Sequence, residues 1–163
     1  MSGIFKALGI GLILLSAFLF LSEYEKKIKN KEKLLEGFLS LTEHIRRQIY
    51  CYLTPPSELI ENFNNETLSE IGFLDYAKKE GLSSAYTSFK DKMPLSEAVN
   101  KELTALFESL EKEYKDGAVR ALDSAATGFK ETLAKEIEQN KKDLKVARTL
   151  VTAAALGIVI LII

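Results

Sequence analysis

The sequence predicts an all-α protein, a helical bundle between two apolar helices. Residues 7–22 and 149–163 contain no charged side chain, and all acidic and basic residues except Lys6 lie between these two segments. Between them, apolar residues recur at steps of three and four, as on one face of a helix, and no segment keeps the period of two that a strand requires. We therefore expect a transmembrane anchor at 1–22, a cytoplasmic helical bundle at 23–148 and a transmembrane helix at 149–163.

The first apolar segment could be a cleaved signal peptide, but its sixteen uncharged residues make a long apolar region for one. Residues 19–22 read Leu-Phe-Leu-Ser, which offers no pair of small residues for cleavage, so we expect a retained anchor. The last segment covers about 22 Å as a helix, against about 30 Å of hydrocarbon. Snorkelling of Arg148 would lengthen this span. The lipid bilayer is therefore an expected partner of both ends.

Charge is distributed unevenly between the two apolar segments. Residues 23–33 hold five lysines and three glutamates, residues 141–148 hold four basic residues and one aspartate, and residues 34–140 carry a net charge of −7. Basic residues beside membrane segments favour the cytoplasm, which would send both termini to the opposite face. Alternatively, these lysines are only the solvated faces of two helices. The acidic middle argues against a nucleic-acid partner.

The first cytoplasmic helix is indicated by one apolar stripe sustained over about five turns. Its members are Leu34, Phe38, Leu41, Ile45, Ile49 and Tyr52. The sequence Thr54-Pro55-Pro56 ends this helix, because proline lacks a backbone N–H and restricts the residue before it. Thr54 can also cap a following short helix that contains Leu59, Ile60 and Phe63.

Three further helices are predicted before the last one. A capping box of Thr67 and Glu70 would begin a helix that ends at Gly81, and a short helix would follow and close at Met93-Pro94. Ser96 would open the next helix. Its stripe contains Val99, Leu103, Leu106, Leu110 and Tyr114.

The turn signal Asp116-Gly117 precedes a stretch that we predict to be one helix as far as the second apolar segment. Its periodic apolar positions are Val119, Leu122, Ala126, Phe129, Leu133, Ile137 and Leu144. Gly128 would weaken this helix by about 1 kcal/mol relative to alanine, a cost that packing can offset.

Small residues recur four positions apart in both apolar segments, at Ala7 and Gly11 and at Ala153 and Gly157. Such spacing lets two membrane helices approach closely, so the two anchors could pair in the bilayer. Alternatively, glycine and alanine are simply common in membrane helices.

The sequence offers little for catalysis. His44 is the only histidine and Cys51 the only cysteine, which leaves no metal site built on these residues. His44 is best interpreted as a surface or boundary residue and Cys51 as a packed thiol. The carboxylates around Glu108 and Asp116 alternate with lysines, as on a solvated helix face, although they could also dock a basic partner. We expect no enzymatic activity and no cofactor.

The layout of the chain resembles the stage III sporulation protein AB family. Leu41, Ile45 and Ile49 at four-residue intervals lead into Thr54-Pro55-x-x-Glu58, a turn similar to one in that family. The stretch that follows Arg148, Thr-Leu-x-x-x-Ala-Ala-Leu-Gly-Ile-Val-Ile-Leu-Ile, is similar to the family's closing membrane segment. The resemblance covers nearly the whole chain.

This resemblance implies a non-enzymatic component of the channel complex that joins mother cell and forespore. The family's helical domain looks like the cytoplasmic domain of the type II secretion platform protein F. By that analogy the chain would lie in the mother-cell membrane around the forespore and link a secretion-type ATPase to other membrane channel subunits, with a homo-oligomer left open. The alternatives are a membrane-tethered scaffold unrelated to sporulation, and a regulator or small transport subunit.

Overall fold

The computed structural model describes residues 2–52, 58–112 and 117–162, which form helices and turns and contain no strand. The predicted all-α class is therefore confirmed. Within these residues six α-helices follow one another: α1 (Ser2–Arg47), α2 (Glu66–Glu70), α3 (Phe73–Glu80), α4 (Leu82–Phe89), α5 (Glu97–Lys112) and α6 (Gly117–Ile162). A π-helical turn (Gln48–Tyr52) follows α1 and a 3₁₀ turn (Lys90–Lys92) follows α4.

The chain divides into two compact units, each built from more than one stretch of helix or turn. The terminal unit comprises Met1–Asn30 and Ile137–Ile163, and the central unit comprises Lys31–Glu136. The boundaries between the units fall within the 46 residues of α1 and within the 46 residues of α6, so both helices contribute to both units. The division into an anchor at 1–22, a bundle at 23–148 and a closing helix at 149–163 stays a prediction.

The core of the central unit is built on the predicted stripe of α1. Leu34, Phe38, Leu41, Ile45 and Ile49 are all buried, as the spacing of three and four residues predicts. Phe38 lies at the centre of an aromatic cluster, with its ring centroid 5.1 Å from that of Phe73 and 5.8 Å from that of Tyr86, both edge to face. Phe107 packs on the same rings. Edge-to-face aromatic contacts add to the free energy gained from burial.

The stripe of α5 is also confirmed where the structure describes it, and the stripe of α6 is confirmed from Leu122 to Leu133, whereas Ile137 and Leu144 are only half-buried. Val99, Leu103, Leu106 and Leu110 of α5 are buried, as are Leu122, Ala126, Phe129 and Leu133 of α6. The Ser96 hydroxyl accepts a hydrogen bond from the backbone N–H of Val99 at 3.4 Å, which is the expected N-terminal cap of α5. Tyr114 and Asp116 lie outside the described residues.

The segment between α1 and α4 differs from the prediction in three places. Residues 59–62 form turns, so the expected short helix with Leu59 and Ile60 is wrong. The expected single helix ending at Gly81 is two helices, because Gly72 adopts φ +76° and interrupts it. The cap is Asn65, whose Oδ1 accepts from Leu68 N at 3.0 Å, in place of the predicted Thr67 capping box.

Candidate functional site

The terminal unit exposes apolar side chains on both of its helices. Among the described residues, two helical stretches are long enough and apolar enough to cross a membrane: Leu8–Tyr50, in α1 and the π-helical turn after it, and Leu122–Leu161, in α6. Only 0 % and 6 % of their most apolar stretches are buried in the protein, whereas the core helix of a soluble protein would be mostly buried. The large exposed residues include Phe5, Leu8, Leu12, Leu15, Phe18, Leu150, Leu156, Ile160 and Leu161. An exposed apolar surface of this extent is typical of a membrane or protein interaction site.

The small residues predicted to pair the two helices are placed as follows. A Cβ atom built at Gly11 or at Gly157 would meet no atom within 4 Å, and Ala153 is exposed. The side chain of Ala7 lies outside the described part of the structure. Pairing through these four residues stays a prediction.

The two apolar segments instead share a groove of about 390 Å³ formed by other residues. It is lined by Ile13, Ser16, Ala17 and Phe20 of α1 and by Val151, Ala154, Ala155 and Ile158 of α6. Ala155 is buried in the terminal unit. Ala17 and Ala155, which line this groove, are not among the small residues predicted to pair the two helices.

Beside the apolar segments, charged residues of α1 and α6 form what we call the charged collar, residues 23–30 and 137–148. Arg148 binds Glu25 through two hydrogen bonds, with Nε and Nη2 lying 2.8 and 2.5 Å from Oε1. This ion pair joins the collar residues of α1 to those of α6. Lys26 binds Glu23 at 3.2 Å and Lys142 binds Glu138 at 2.7 Å on the exposed faces of single helices.

Asn140 is a buried polar residue within the terminal unit. It is only 7 % exposed, and its Nδ2 has no hydrogen-bond partner among the described residues. Asn140 continues the α6 stripe of Leu133, Ile137 and Leu144 at steps of four, three and four, which is the signal that could have identified it. A lone asparagine at such a position fixes the register of two helices at a cost in stability.

Three ion pairs join α1 to α6 in the central unit. They are Lys31–Glu136, Glu43–Lys130 and Arg46–Asp123, each with an N–O distance of 2.6 Å. Residue numbers rise along α1 as they fall along α6, so the two helices are antiparallel here. These pairs connect residues 77 to 105 positions apart, which is why no local pattern predicts them.

Glu136 is the least exposed carboxylate of these three pairs. Burial by itself raises the pKa of Glu136, but hydrogen bonds from Lys31 and Ser96 and the Lys31 charge outweigh burial and lower the pKa. The Lys31 and Glu136 side chains are 21 % and 17 % exposed, so this pair is partly protected from solvent.

The predicted structural turn is described only at its last residue. Thr54 and Pro55 lie outside the described residues, whereas Glu58 is exposed and its carbonyl accepts a hydrogen bond from Glu61 N at 3.3 Å. Just before this turn, Tyr50 is 73 % exposed. It lines an open groove of about 360 Å³ with Glu43, Arg46 and Arg47.

His44 lies at the edge of the core beside α1's apolar stripe. Its ring packs on Phe63 at 5.1 Å between centroids, and its Nε2 is buried without a partner among the described residues. Burial lowers the pKa of His44, the Arg47 charge lowers it further, and a backbone hydrogen bond with Leu59 acts in the opposite direction. This placement matches the predicted boundary residue.

The described residues contain no group of three or more His, Cys, Asp or Glu side chains placed to hold a metal ion. Cys51 lies in the π-helical turn. The expected absence of enzymatic activity stays a prediction.

Taken together, the fold and the exposed surface define an all-α protein with two long helices that are apolar enough at one end to cross a membrane. Comparison with protein families identifies the family within this class to which the chain belongs. The model of the family described as Stage III sporulation protein AB matches residues 6–163, nearly the whole chain. The chain belongs to this family, as the sequence resemblance implied. Neither the curated proteins nor the solved structures that were compared with the chain gave a match.

Proposed function

We propose that this protein is a non-enzymatic membrane component of the sporulation channel between mother cell and forespore. In this role it links a cytoplasmic secretion-type ATPase to the membrane channel subunits. Membership of the stage III sporulation protein AB family supports a sporulation-related role. The expected ATPase partner comes from the implied resemblance of the family's helical domain to the cytoplasmic domain of the type II secretion platform protein F, which is an analogy between folds.

The observation that carries the proposal is the continuity of α1 and α6. Each helix runs for 46 residues without interruption, from an apolar segment in the terminal unit into the central unit. An α-helix satisfies its backbone hydrogen bonds along its whole length, so it transmits displacement better than a flexible linker does. A displacement of α1 or α6 caused by a partner that binds the central unit would therefore be transmitted to the apolar segments.

The ion pairs of the central unit favour joint movement of the two helices. The Lys31–Glu136 pair joins the first and the last residue of the central unit. The Arg46–Asp123 pair lies near the C-terminal end of α1. Contacts at both positions resist sliding of α1 along α6. The proposed mechanism is thus contact and transmission, with no chemical step.

An insertion that breaks the continuity of one helix tests this proposal. We expect Gly-Gly-Ser inserted between Asn30 and Lys31 of α1 to leave the protein in the membrane around the forespore but to abolish spore formation. The matched control carries the same insertion between Asn64 and Asn65, where the chain is not helical, and should sporulate. Both proteins would be tagged and imaged through sporulation.

Two outcomes would contradict the proposal. Normal spore numbers from the α1 insertion would show that helix continuity is not used. Membrane signal throughout vegetative growth, together with normal spores after deletion of the gene, would refute a role in the sporulation channel and leave only a membrane-tethered helical scaffold.

A further inference from the structure

The charged collar carries an excess of unpaired positive charge. It contains seven basic and four acidic residues, a net charge of +3. Each acidic side chain is bonded inside the collar: Glu23, Glu25 and Glu138 to basic residues and Asp143 to the Gln139 amide at 2.8 Å. Four exposed lysines have no ion pair with the described residues: Lys27, Lys29, Lys141 and Lys145.

The Arg148–Glu25 pair brings these lysines of two distant segments to a common level. Along α1, Lys27 and Lys29 follow Glu25 by about 3 and 6 Å, and along the antiparallel α6, Lys145 and Lys141 precede Arg148 by about 5 and 10 Å. All four lysines are therefore within about one Debye length of the ion pair at moderate salt. Their charges act together on whatever lies beside the apolar segments.

The surface of α6 also changes polarity in the order that a phospholipid does. Lys141, Lys145 and Arg148 share one helix face at steps of four and three. The same face continues into a groove of about 440 Å³ lined by Arg148, Thr149, Thr152, Ala153 and Leu156. Cations, then hydroxyls, then apolar side chains correspond to the phosphate, glycerol and acyl parts of a lipid.

We infer that the charged collar binds the headgroups of anionic phospholipids, with Lys27, Lys29, Lys141 and Lys145 as the main contacts. This inference rests on the proposed membrane attachment. A ligand of the collar must carry negative charge and must also accommodate the exposed apolar side chains that begin within one or two helical turns of it, such as Leu150. An anionic phospholipid meets both conditions, whereas a soluble acidic protein or a free phosphate meets only the first.

The test uses the full chain inserted in phosphatidylcholine vesicles that contain trace spin-labelled phosphatidylglycerol or phosphatidylcholine. The fraction of each label held at the protein surface gives the preference between the two lipids. We expect the wild type to prefer phosphatidylglycerol at low salt, and the quadruple K27Q/K29Q/K141Q/K145Q variant to lose this preference. Each lysine that contacts a headgroup should increase the preference for phosphatidylglycerol over phosphatidylcholine by about fivefold.

The matched control removes the same charge from the central unit, as K78Q/K79Q/K90Q/K92Q, and should keep the wild-type preference. Raising the salt in wild-type vesicles is a second readout that does not depend on folding of a variant, and it should reduce the preference because the Debye length falls to about 3 Å at 1 M.

Equal binding of the two lipids by inserted wild-type protein would overturn the inference and leave the proposed function standing. The inference is also overturned if the control variant loses as much preference as the collar variant. Failure of the wild type to restrict either label would show that the chain does not enter the bilayer, which would refute the proposed function together with this inference.

Discussion

Alanine should destabilise the central unit at position 37 and stabilise it at position 128, although both glycines are helical. In α1, a Cβ atom at Gly37 would lie 3.0 Å from Asn65 Oδ1 and 3.1 Å from Leu68 Cγ. In α6, a Cβ atom at Gly128 would come nearest to Glu102 Oε2, at 3.3 Å. The Glu102 carboxylate is the mobile end of a long side chain, whereas Asn65 and Leu68 are held in place.

The contacts of Asn65 and Leu68 determine how much G37A lowers the free energy of unfolding. Asn65 Oδ1 caps α2 by accepting from Leu68 N, and the Leu68 side chain is fully buried. Alanine gains about 1 kcal/mol of helix propensity at either glycine. At Gly37 this gain is opposed by about 1 kcal/mol for the disturbed cap and about 2 kcal/mol for overpacking. We expect G37A to lose about 2 kcal/mol and G128A to gain about 1 kcal/mol.

Urea unfolding of the full chain in detergent micelles, followed by helical ellipticity, measures both variants in one assay. G37A should shift the midpoint to lower urea and G128A to higher urea. A stabilised G37A would show that α2 does not pack against α1 at this position. Equal destabilisation of both variants would show that helix propensity does not decide the effect at Gly128.

Three further predictions concern buried or partly buried polar groups. N140L should stabilise the protein by about 1 kcal/mol, because it removes a buried N–H donor that has no partner among the described residues. A lower melting temperature of N140L would show that the Asn140 side chain is hydrogen-bonded. K31Q should lower the free energy of unfolding by about 1 kcal/mol at neutral pH, because it removes the cation that pairs with Glu136. Because the folded-state pKa of Glu136 is lowered, the difference in free energy of unfolding between K31Q and wild type should shrink as pH falls below 4.5. A difference that stays constant with pH in urea titrations would contradict this cause. Because the folded-state pKa of His44 is lowered, His44 of the unfolded chain should be protonated first as pH falls below 6.5. The free energy of unfolding of the wild type should therefore decrease in this range, and that of H44Q should not. Equal pH profiles of the two proteins would refute this role of His44.

Much of the fold could be predicted because its signals are local. The stripes of α1, α5 and α6 repeat with the period of an α-helix, and burial of Phe38, Leu103 and Phe129 follows directly from that repeat. The Ser96 cap was predicted for the same reason, since it acts on the backbone three residues away. The uncharged segments likewise identify themselves by composition.

The boundaries of the short helices were predicted less well. Thr67 and Glu70 fit a capping box, but Asn65 caps α2 and itself packs against Gly37. Gly72 lies within a stretch that reads as one helix, and its left-handed conformation separates α2 from α3. Helix propensity is a weak preference that tertiary contacts can override.

The sequence by itself determined the all-α class, the two apolar segments, the charge beside them and the resemblance to the sporulation family. The tertiary structure decided which residues of α1 meet which residues of α6. It paired Glu25 with Arg148, and among the described residues it gave no ion pair to four collar lysines and no hydrogen-bond partner to the buried Nδ2 of Asn140. These outcomes depend on residues more than one hundred positions apart along the chain, and periodicity reports only the face of a helix, not the partner that covers it.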